Sequence, residues 1–249
     1  MLGIDGKVVI VTGAGGGIGG GIVSTLAQAG ATVVAADRDD ASLARARETD
    51  NVAAAVVDVS DAEQFKALID DTASEHGHLD GIVNNAGVSI PNTVADASLE
   101  EFDAIISVNL RGPFLGCKYA IPHLLAAGGG SIVNIGSINS VVAERQLTVY
   151  CASKGGVLML SKAIALDYAS RAVRCNCVCP GFVDTAINVP HSEQLASLGL
   201  DEPLESFQPL GRNIAPEEIG GAVAFLISDW SSAITGTAVL VDGGITANA

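Results

Sequence analysis

The fold is decided at Thr12-Gly13-Ala14-Gly15-Gly16-Gly17-Ile18-Gly19, where five of eight residues are glycine. The β-branched run Val8–Thr12 leads into this stretch, and Gly17–Gln28 continues it with apolar residues at helical spacing. Glycines between a first strand and a first helix let the backbone approach a phosphate closely, and the helix N-terminus offers free N–H groups. The stretch therefore predicts a pyrophosphate site at the start of a βαβ unit.

The rest of the chain repeats the alternation of strand and helix. Six further apolar runs have the composition of strands: Thr32–Ala36, Ala53–Val57, Gly81–Asn84, Ser131–Ile135, Arg174–Val178 and Ala238–Val241. Most lack polar alternation, as parallel strands do when helices cover both faces. With no linker or composition break, residues 1–249 are predicted to form a single α/β domain. We expect a Rossmann-type doubly wound parallel sheet of about seven strands with helices on both faces.

A carboxylate marks the end of the second predicted strand. Asp37 lies 18 positions after Gly19, close to the offset of about 20 residues at which an acidic side chain accepts a ribose 2′-hydroxyl. Its charge would repel a 2′-phosphate, which favours NAD over NADP. Arg38 is the competing signal, because a neighbouring arginine can accept that phosphate. Since Arg38 stands beside Asp39 and Asp40, we interpret it as a solvated charge.

Composition excludes several classes of protein. The chain has 249 residues, with 13 Lys and Arg against 28 Asp and Glu, a formal net charge of −15. Such an acidic surface repels phosphate backbones, so no nucleic-acid partner is expected. No uninterrupted apolar run reaches the ~18 residues that span a bilayer, and no secretory signal is visible, so we expect a cytoplasmic protein without a membrane partner.

Cys175, Cys177 and Cys179 alternate on one strand, where buried core thiols are favoured over a metal site.

Further motifs follow in a fixed order along the chain: Asp58-Val59, Asn84-Asn85-Ala86-Gly87, Tyr150-x-x-x-Lys154, Pro180-Gly181 and Val241-Asp242-Gly243-Gly244. Together with the glycine turn, they resemble the short-chain dehydrogenase/reductase family over essentially the whole chain. The resemblance implies cofactor contacts from these motifs: Gly13, Gly16, Gly17, Ile18, Gly19, Asp37, Arg38, Asp58, Val59, Asn85, Ala86, Gly87, Tyr150, Lys154, Pro180, Gly181, Val183 and Thr185.

The resemblance also implies a catalytic tetrad of Asn109, Ser137, Tyr150 and Lys154. Tyr150 and Lys154 are four residues apart and share one helix face. A phenol with a pKa near 10 is a poor base at neutral pH. We therefore expect the Lys154 ammonium and an oxidised nicotinamide to lower the pKa of Tyr150 by about three units. Ser137 would hold the substrate oxygen, with Ser140 as its rival. In the family, the backbone carbonyl of the asparagine holds a water that links the lysine to solvent.

The predicted reaction is NAD-dependent interconversion of a secondary alcohol and a ketone by hydride transfer, with Tyr150 as general acid/base. Two alternatives remain: an NADPH-dependent 3-oxoacyl-carrier-protein-type reductase and a non-catalytic nucleotide-binding scaffold. The resemblance further implies a homotetramer.

The substrate is predicted to be a small alcohol or ketone. Contacts are expected from Ser137, Arg145, Tyr150 and Phe182, and residues 184–212 are predicted to form a lid. Arg145, His191 and Arg212 are the cations available to a substrate carboxylate, although a solvent-facing Arg145 is the commoner arrangement. The segment from Arg174 to Gly181 is similar to one in 3-hydroxybutyrate and sugar-acid dehydrogenases of the family, which favours a hydroxy acid.

Overall fold

The computed structural model describes residues 3–197, 199 and 207–248. This part of the chain contains one seven-stranded parallel sheet in the order β3-β2-β1-β4-β5-β6-β7. The strands are β1 (Val8–Thr12), β2 (Thr32–Asp37), β3 (Val52–Val56), β4 (Gly81–Asn84), β5 (Gly130–Ile135), β6 (Val173–Pro180) and β7 (Ala238–Val241). All seven predicted strands are confirmed, and the largest difference is that β6 extends two residues further, to Pro180.

Helices connect the strands: α1 (Gly17–Gln28), α2 (Ala44–Arg47), α3 (Ala62–His76), α4 (Leu99–Ile106), α5 (Gly112–Ala126), α6 (Thr148–Tyr168), α7 (Val189–Ser197) and α8 (Pro216–Ile227). Between α4 and α5, Ser107–Arg111 forms a π-helical turn that carries Asn109. The predicted fold class, a doubly wound α/β sheet, is confirmed.

Alternate residues of each strand enter the cores on opposite sides of the sheet. In β1, Val9 and Val11 pack with α1 and α8, whereas Val8 and Ile10 pack with α3, α5 and α6. Both faces are therefore apolar, which explains why the strands read as continuous apolar runs in the sequence.

Helix α6 is long and apolar over much of its surface. Residues Thr148–Arg171 would be long and apolar enough to cross a membrane, judged by length and composition alone. In the structure, Val157, Leu158 and Ile164 are buried against the sheet, and Lys154 is only 4% exposed. These are the contacts of a helix that covers the core of a folded domain.

The chain order reverses between β1 and β4. The first three strands run outward to one edge of the sheet, and β4 returns to the other side of β1. Loops from these neighbouring strands diverge at their carboxyl ends and leave a crevice, which is where open α/β sheets bind ligands. The glycine turn follows β1, and Asn85 follows β4, at this point.

Candidate active site

A cavity of about 490 Å³ opens at the carboxyl ends of the strands. Every residue that the sequence assigned to the cofactor lines it, from Gly13 in the glycine turn to Thr185 after β6. Ser137 and Phe182 line it as well. Arg145 does not: its side chain is exposed, and Asn109 lies behind the cavity wall, completely buried.

The glycine turn is locked to the loop that follows β4. The Thr12 hydroxyl accepts hydrogen bonds from the backbone N–H groups of Asn85 and Ala86, at 3.0 and 3.2 Å. The Asn85 side chain donates back to the carbonyls of Thr12 and Gly13, both at 3.0 Å. Gly13 has φ +61°, and a Cβ there would lie 2.7 Å from the Ala86 Cα. Only glycine allows these two loops to approach so closely.

Asp37 is held at the open end of the glycine turn. Its Oδ2 accepts the Gly15 N–H at 2.9 Å, and its Oδ1 accepts the Asp39 N–H at 3.1 Å. A Cβ on Gly15 would lie 1.9 Å from the Ser42 Oγ, so no side chain fits there. The cradle of bare backbone N–H groups, with an anchored carboxylate beyond it, suits the pyrophosphate and ribose of a nicotinamide dinucleotide.

Lys154 lies beneath the Tyr150 ring, one helical turn further along α6. Its Nζ is 5.7 Å from the ring centroid and donates to the Ile135 carbonyl at 2.9 Å. Burial lowers the pKa of Lys154 to about 8, because the ammonium is costly to desolvate. The predicted pairing of tyrosine and lysine on one helix face is therefore present in the structure.

The pKa of the Tyr150 phenol departs from the expectation. Burial raises it to about 12; the neighbouring Ser137 side chain opposes this rise, and the charge of Glu144 adds to it. Desolvation of the phenolate is the largest contribution, and the Lys154 ammonium is directed toward the Ile135 carbonyl. The side chains alone therefore do not lower the pKa of Tyr150. Of the two positive charges expected to lower it, the Lys154 ammonium and the oxidised nicotinamide, only the nicotinamide is left to do so.

Ser137 stands at the mouth of the sheet, two residues after β5, with its side chain 8% exposed. Its hydroxyl donates to Asn139 Oδ1 and accepts the Asn139 N–H, both at 3.1 Å. The Asn139 amide in turn donates to Glu144 Oε2 at 3.2 Å. Ser140, its rival, accepts the Ser137 N–H and does not line the cavity.

Asn109 joins the wall of the cavity to α6. Its side-chain oxygen accepts the Val88 N–H at 2.8 Å, and its amide donates to the Val88 carbonyl and to Ser153 Oγ. Gly87 lies beside both groups, since a Cβ there would be in ordinary contact with Asn109 Oδ1 and Lys154 Nζ at 3.5 and 3.6 Å. The π-helical turn brings a fully buried asparagine to this position.

The cysteines of β6 divide between two environments. Cys175 contacts Asn134 in the core beside α3, α5 and α6, whereas the Cys177 and Cys179 sulfurs lie 3.8 Å apart near Lys154. All three are buried. The described residues contain no group of three or more histidine, cysteine or carboxylate side chains able to hold a metal ion.

The predicted lid falls partly within the described structure. It includes α7 and a 3-10 turn at residues 186–188, from which Ile187 and Asn188 reach the cavity. Residues 198 and 200–206, and the side chain of His191, lie outside the described residues. Arg212 is at the surface, where its guanidinium donates to both oxygens of Glu218 at 2.7 and 2.8 Å.

Sequence reasoning missed three cavity residues of chemical interest. Gly15 was quoted in the glycine turn but not assigned to the site. Asn139 and Glu144 lie in the loop 138–146, which the sequence indicates as part of the pocket wall, but neither was given a role of its own, because the loop has no periodic signal. The acidic side chain at 144 was the available hint, and it was considered only as a neighbour of Arg145.

The chain is similar to known proteins over nearly its whole length. A family model described as enoyl-(acyl carrier protein) reductase matches residues 13–246. The chain is 39% identical to 3beta-hydroxysteroid dehydrogenase 1 of Eggerthella lenta, covering 98% of this chain and 95% of the relative. It is 38% identical to D-threitol dehydrogenase of Mycolicibacterium smegmatis, covering 98% and 94%.

A solved structure extends the likeness to three dimensions. The gluconate 5-dehydrogenase of Burkholderia cenocepacia, crystallised with NADP and tartrate, superimposes with a TM-score of 0.91 at 32% identity, covering 100% of this chain and 98% of that one. The chain belongs to the short-chain dehydrogenase/reductase family. It is an oxidoreductase of a family that uses nicotinamide cofactors, and its relatives include dehydrogenases that act on alcohols.

Proposed function

We propose that this protein is an NAD-dependent oxidoreductase that interconverts a secondary alcohol and a ketone. One observation carries the proposal: the Tyr150 phenol faces the same cavity as Ser137, with Lys154 beneath its ring. When bound, the nicotinamide would take a hydride from the carbinol carbon or return one to the carbonyl carbon. The protein's own residues then have to hold the substrate oxygen and move its proton.

Ser137 and Tyr150 divide that work. The Ser137 hydroxyl donates to the substrate oxygen and fixes its position, and the Tyr150 hydroxyl exchanges a proton with the same oxygen. Lys154 restrains the phenol through the contact beneath its ring. The Lys154 ammonium has donors beyond the one used by Ile135, and these can pass a proton toward solvent through a water held at the Asn109 carbonyl.

Tyr150→Phe tests the proposal. We expect the wild-type protein to form NADH from at least one member of a panel of secondary alcohols, and the variant to lose roughly 10²- to 10⁴-fold in kcat. NADH binding, followed by fluorescence, should stay within about twofold, because the phenyl ring keeps its packing. Substantial turnover by the variant would show that another group moves the proton. No turnover by the wild type with any alcohol or ketone would favour a nucleotide-binding scaffold.

NAD is the proposed cofactor because Asp37 presents an anchored carboxylate where a 2′-phosphate would lie. The related gluconate 5-dehydrogenase was crystallised with NADP, so both NAD and NADP have to be assayed. The description of the matching family model supports one other candidate, an NADPH-dependent reductase of acyl-carrier-protein thioesters. NADPH oxidation with an acetoacetyl thioester, exceeding NADH formation from alcohols, would favour that candidate.

We further propose that the protein assembles as a homotetramer in the cytoplasm. Helices α4, α5 and α6 expose large apolar side chains: Phe102 at 44%, Phe114 at 48%, Met159 at 62% and Leu166 at 85%. Covering them with further copies of the chain would remove this area from water. Light scattering should give four times the 25.1 kDa chain mass, and Leu166→Glu should lower it. A wild-type mass equal to one chain would contradict the proposal.

A further inference from the structure

Asn139 lies directly beside the serine that would hold the substrate oxygen. It is the middle residue of the 3-10 turn Ile138–Ser140, which follows Ser137, and the side chains of Ser137 and Asn139 both line the cavity. Ser137 is 8% exposed and Asn139 is 7% exposed, so a hydrogen bond lost here is poorly replaced by bulk water. The direction of the bonds between them determines what Ser137 can offer to a substrate.

The Asn139 side chain has one orientation that satisfies its partners. Its Nδ2 donates to Glu144 Oε2 at 3.2 Å, and an ionised carboxylate offers only acceptors. The amide oxygen Oδ1 is therefore the atom that faces the Ser137 hydroxyl, at 3.1 Å. Reversing the amide would place one acceptor against another at the carboxylate.

This orientation fixes the hydrogen of the Ser137 hydroxyl. An amide oxygen can only accept, so the hydroxyl is the donor in its bond to Asn139. The Asn139 N–H donates to the same Ser137 Oγ at 3.1 Å, which restrains the hydroxyl further. A hydroxyl has a single hydrogen, and here that hydrogen is directed to Asn139 rather than into the cavity.

The proposed reaction needs that hydrogen elsewhere. Ser137 is to donate to the substrate oxygen, so its bond to Asn139 has to be exchanged for one to the substrate. A neutral hydroxyl or carbonyl oxygen is no stronger as an acceptor than a neutral amide oxygen, whereas hydrogen bonds to an oxygen that carries negative charge are about twice as strong. The exchange is therefore favoured only when an oxygen in the cavity becomes charged.

We propose that Asn139 is a positioning residue that holds the Ser137 hydrogen away from neutral oxygens in the cavity and releases it to a charged one. The inference rests on the proposed dehydrogenase function. The Tyr150 phenolate is one such charged oxygen, because the Ser137 side chain lies beside the phenol and opposes the rise of its pKa. Asn139 competes with the phenolate for the same hydrogen, so removing the Asn139 acceptor should let Tyr150 act as a base at lower pH.

Other groups near the phenol also influence its titration. Among the described residues, the titratable groups that face Tyr150 are Lys154 and Cys151 on α6, Glu144 in the preceding loop and Cys179 on β6. None of them is replaced when Asn139 is changed. Loss of the Asn139 amide leaves Glu144 with one donor fewer, and a less compensated carboxylate would raise the pKa of Tyr150, which is opposite to the expected change.

Asn139→Leu tests the inference, because leucine is close to asparagine in shape and has no acceptor. We expect the rising limb of the pH profile of kcat/KM for alcohol oxidation to move to lower pH by about 0.5–1 unit, which corresponds to one neutral hydrogen bond. Asn139→Ala should give the same shift, and NADH binding within about twofold of the wild type shows that the fold is kept. A purely structural role would lower the rate without moving the limb.

A Ser137→Ala background shows whether Asn139 acts through the serine. There, Asn139→Leu should leave the titration of Tyr150 in place, because the hydrogen that it releases is absent. The tyrosinate absorbance in the presence of NAD⁺, taken as the difference from the matched Tyr150→Phe protein, provides this comparison without turnover.

Asn92→Leu is the matched control. Asn92 donates its side-chain amide to Glu101 Oε2 at 2.9 Å and does not line the cavity, so the change removes the same kind of bond away from Ser137. Its pH profile should equal that of the wild type. An unmoved limb in Asn139→Leu and Asn139→Ala, or a shift that persists without the Ser137 hydroxyl, would overturn the role of Asn139 while the dehydrogenase function stands. A wild type that turns over no alcohol or ketone would remove the proposed function and this inference together.

Discussion

Replacing Asp37 with asparagine should reverse much of the cofactor preference. The side chain keeps its shape, and one oxygen can still accept the Gly15 N–H that now holds Oδ2 at 2.9 Å. The negative charge is lost, and so is the second acceptor that receives the Asp39 N–H. The variant therefore changes the electrostatics at the ribose end of the cavity while disturbing the glycine turn little.

Two effects contribute to the expected change. A hydrogen bond to a charged group contributes about 1.5–3 kcal/mol, against about 1 kcal/mol for a neutral one, so each ribose hydroxyl bond to Asp37 weakens by roughly 1–2 kcal/mol. For NADP, a charge pair about 5 Å apart at an effective dielectric of ~20 costs about 3 kcal/mol, which solvent screening at a half-buried site cuts to roughly 1–2 kcal/mol. Together they lower the NAD-to-NADP ratio of kcat/KM by about 100-fold.

Steady-state rates with both cofactors, on one alcohol, measure the ratio. Asp40→Asn is the matched control, because Asp40 carries the same charge three residues further on, is exposed, and pairs with Arg47 at the surface. It should change the ratio by less than about threefold, since an exposed ion pair contributes little. If Asp37→Asn leaves the ratio where the wild type has it, the carboxylate does not select the cofactor and the assignment of NAD fails.

Two further predictions concern stability. Since burial lowers the folded-state pKa of Lys154 to about 8, against about 10.5 unfolded, the unfolded state binds more protons between these values and stability should rise with pH by about 2 kcal/mol from pH 8 to 10. Urea unfolding of Lys154→Met should lack that rise, and parallel pH profiles for both proteins would contradict it. Gly116→Ala should destabilise by about 1–3 kcal/mol, because its Cβ would lie 2.2 Å from Asn84 Oδ1. Gly221→Ala, an exposed α8 position with nothing within 4 Å of the Cβ, should be neutral or stabilising by up to ~1 kcal/mol, and similar effects at both sites would refute the packing argument.

Local patterns predicted the fold well because each signal lies within a few neighbouring residues. Strand β1, the glycine turn and α1 follow from one continuous segment, and their observed bounds, Val8–Thr12 and Gly17–Gln28, equal the predicted ones. Spacing along α6 placed Tyr150 and Lys154 on one face in the same way. Resemblance to a known family supplied the order of the remaining cofactor motifs, and these residues line the cavity.

Long-range contacts determined what the spacing could not. Glu144 and Asn139 became part of the site only when the loop between Ser137 and Tyr150 folded back over the cavity, and Arg145 turned outward from the same loop. The π-helical turn that buries Asn109 was likewise invisible to helical periodicity.

By itself, then, the sequence determined the sheet, the glycine turn, the carboxylate after β2 and the shared face of Tyr150 and Lys154, because all of these depend on local geometry. Tertiary structure alone decided how far Tyr150 and Lys154 are desolvated and which loop side chains reach the cavity. Burial raises the pKa of Tyr150 and lowers that of Lys154, and folding of the loop before α6 brings Glu144 into the cavity wall. Solvation and field depend on every element packed around a group, which no stretch of neighbouring residues encodes.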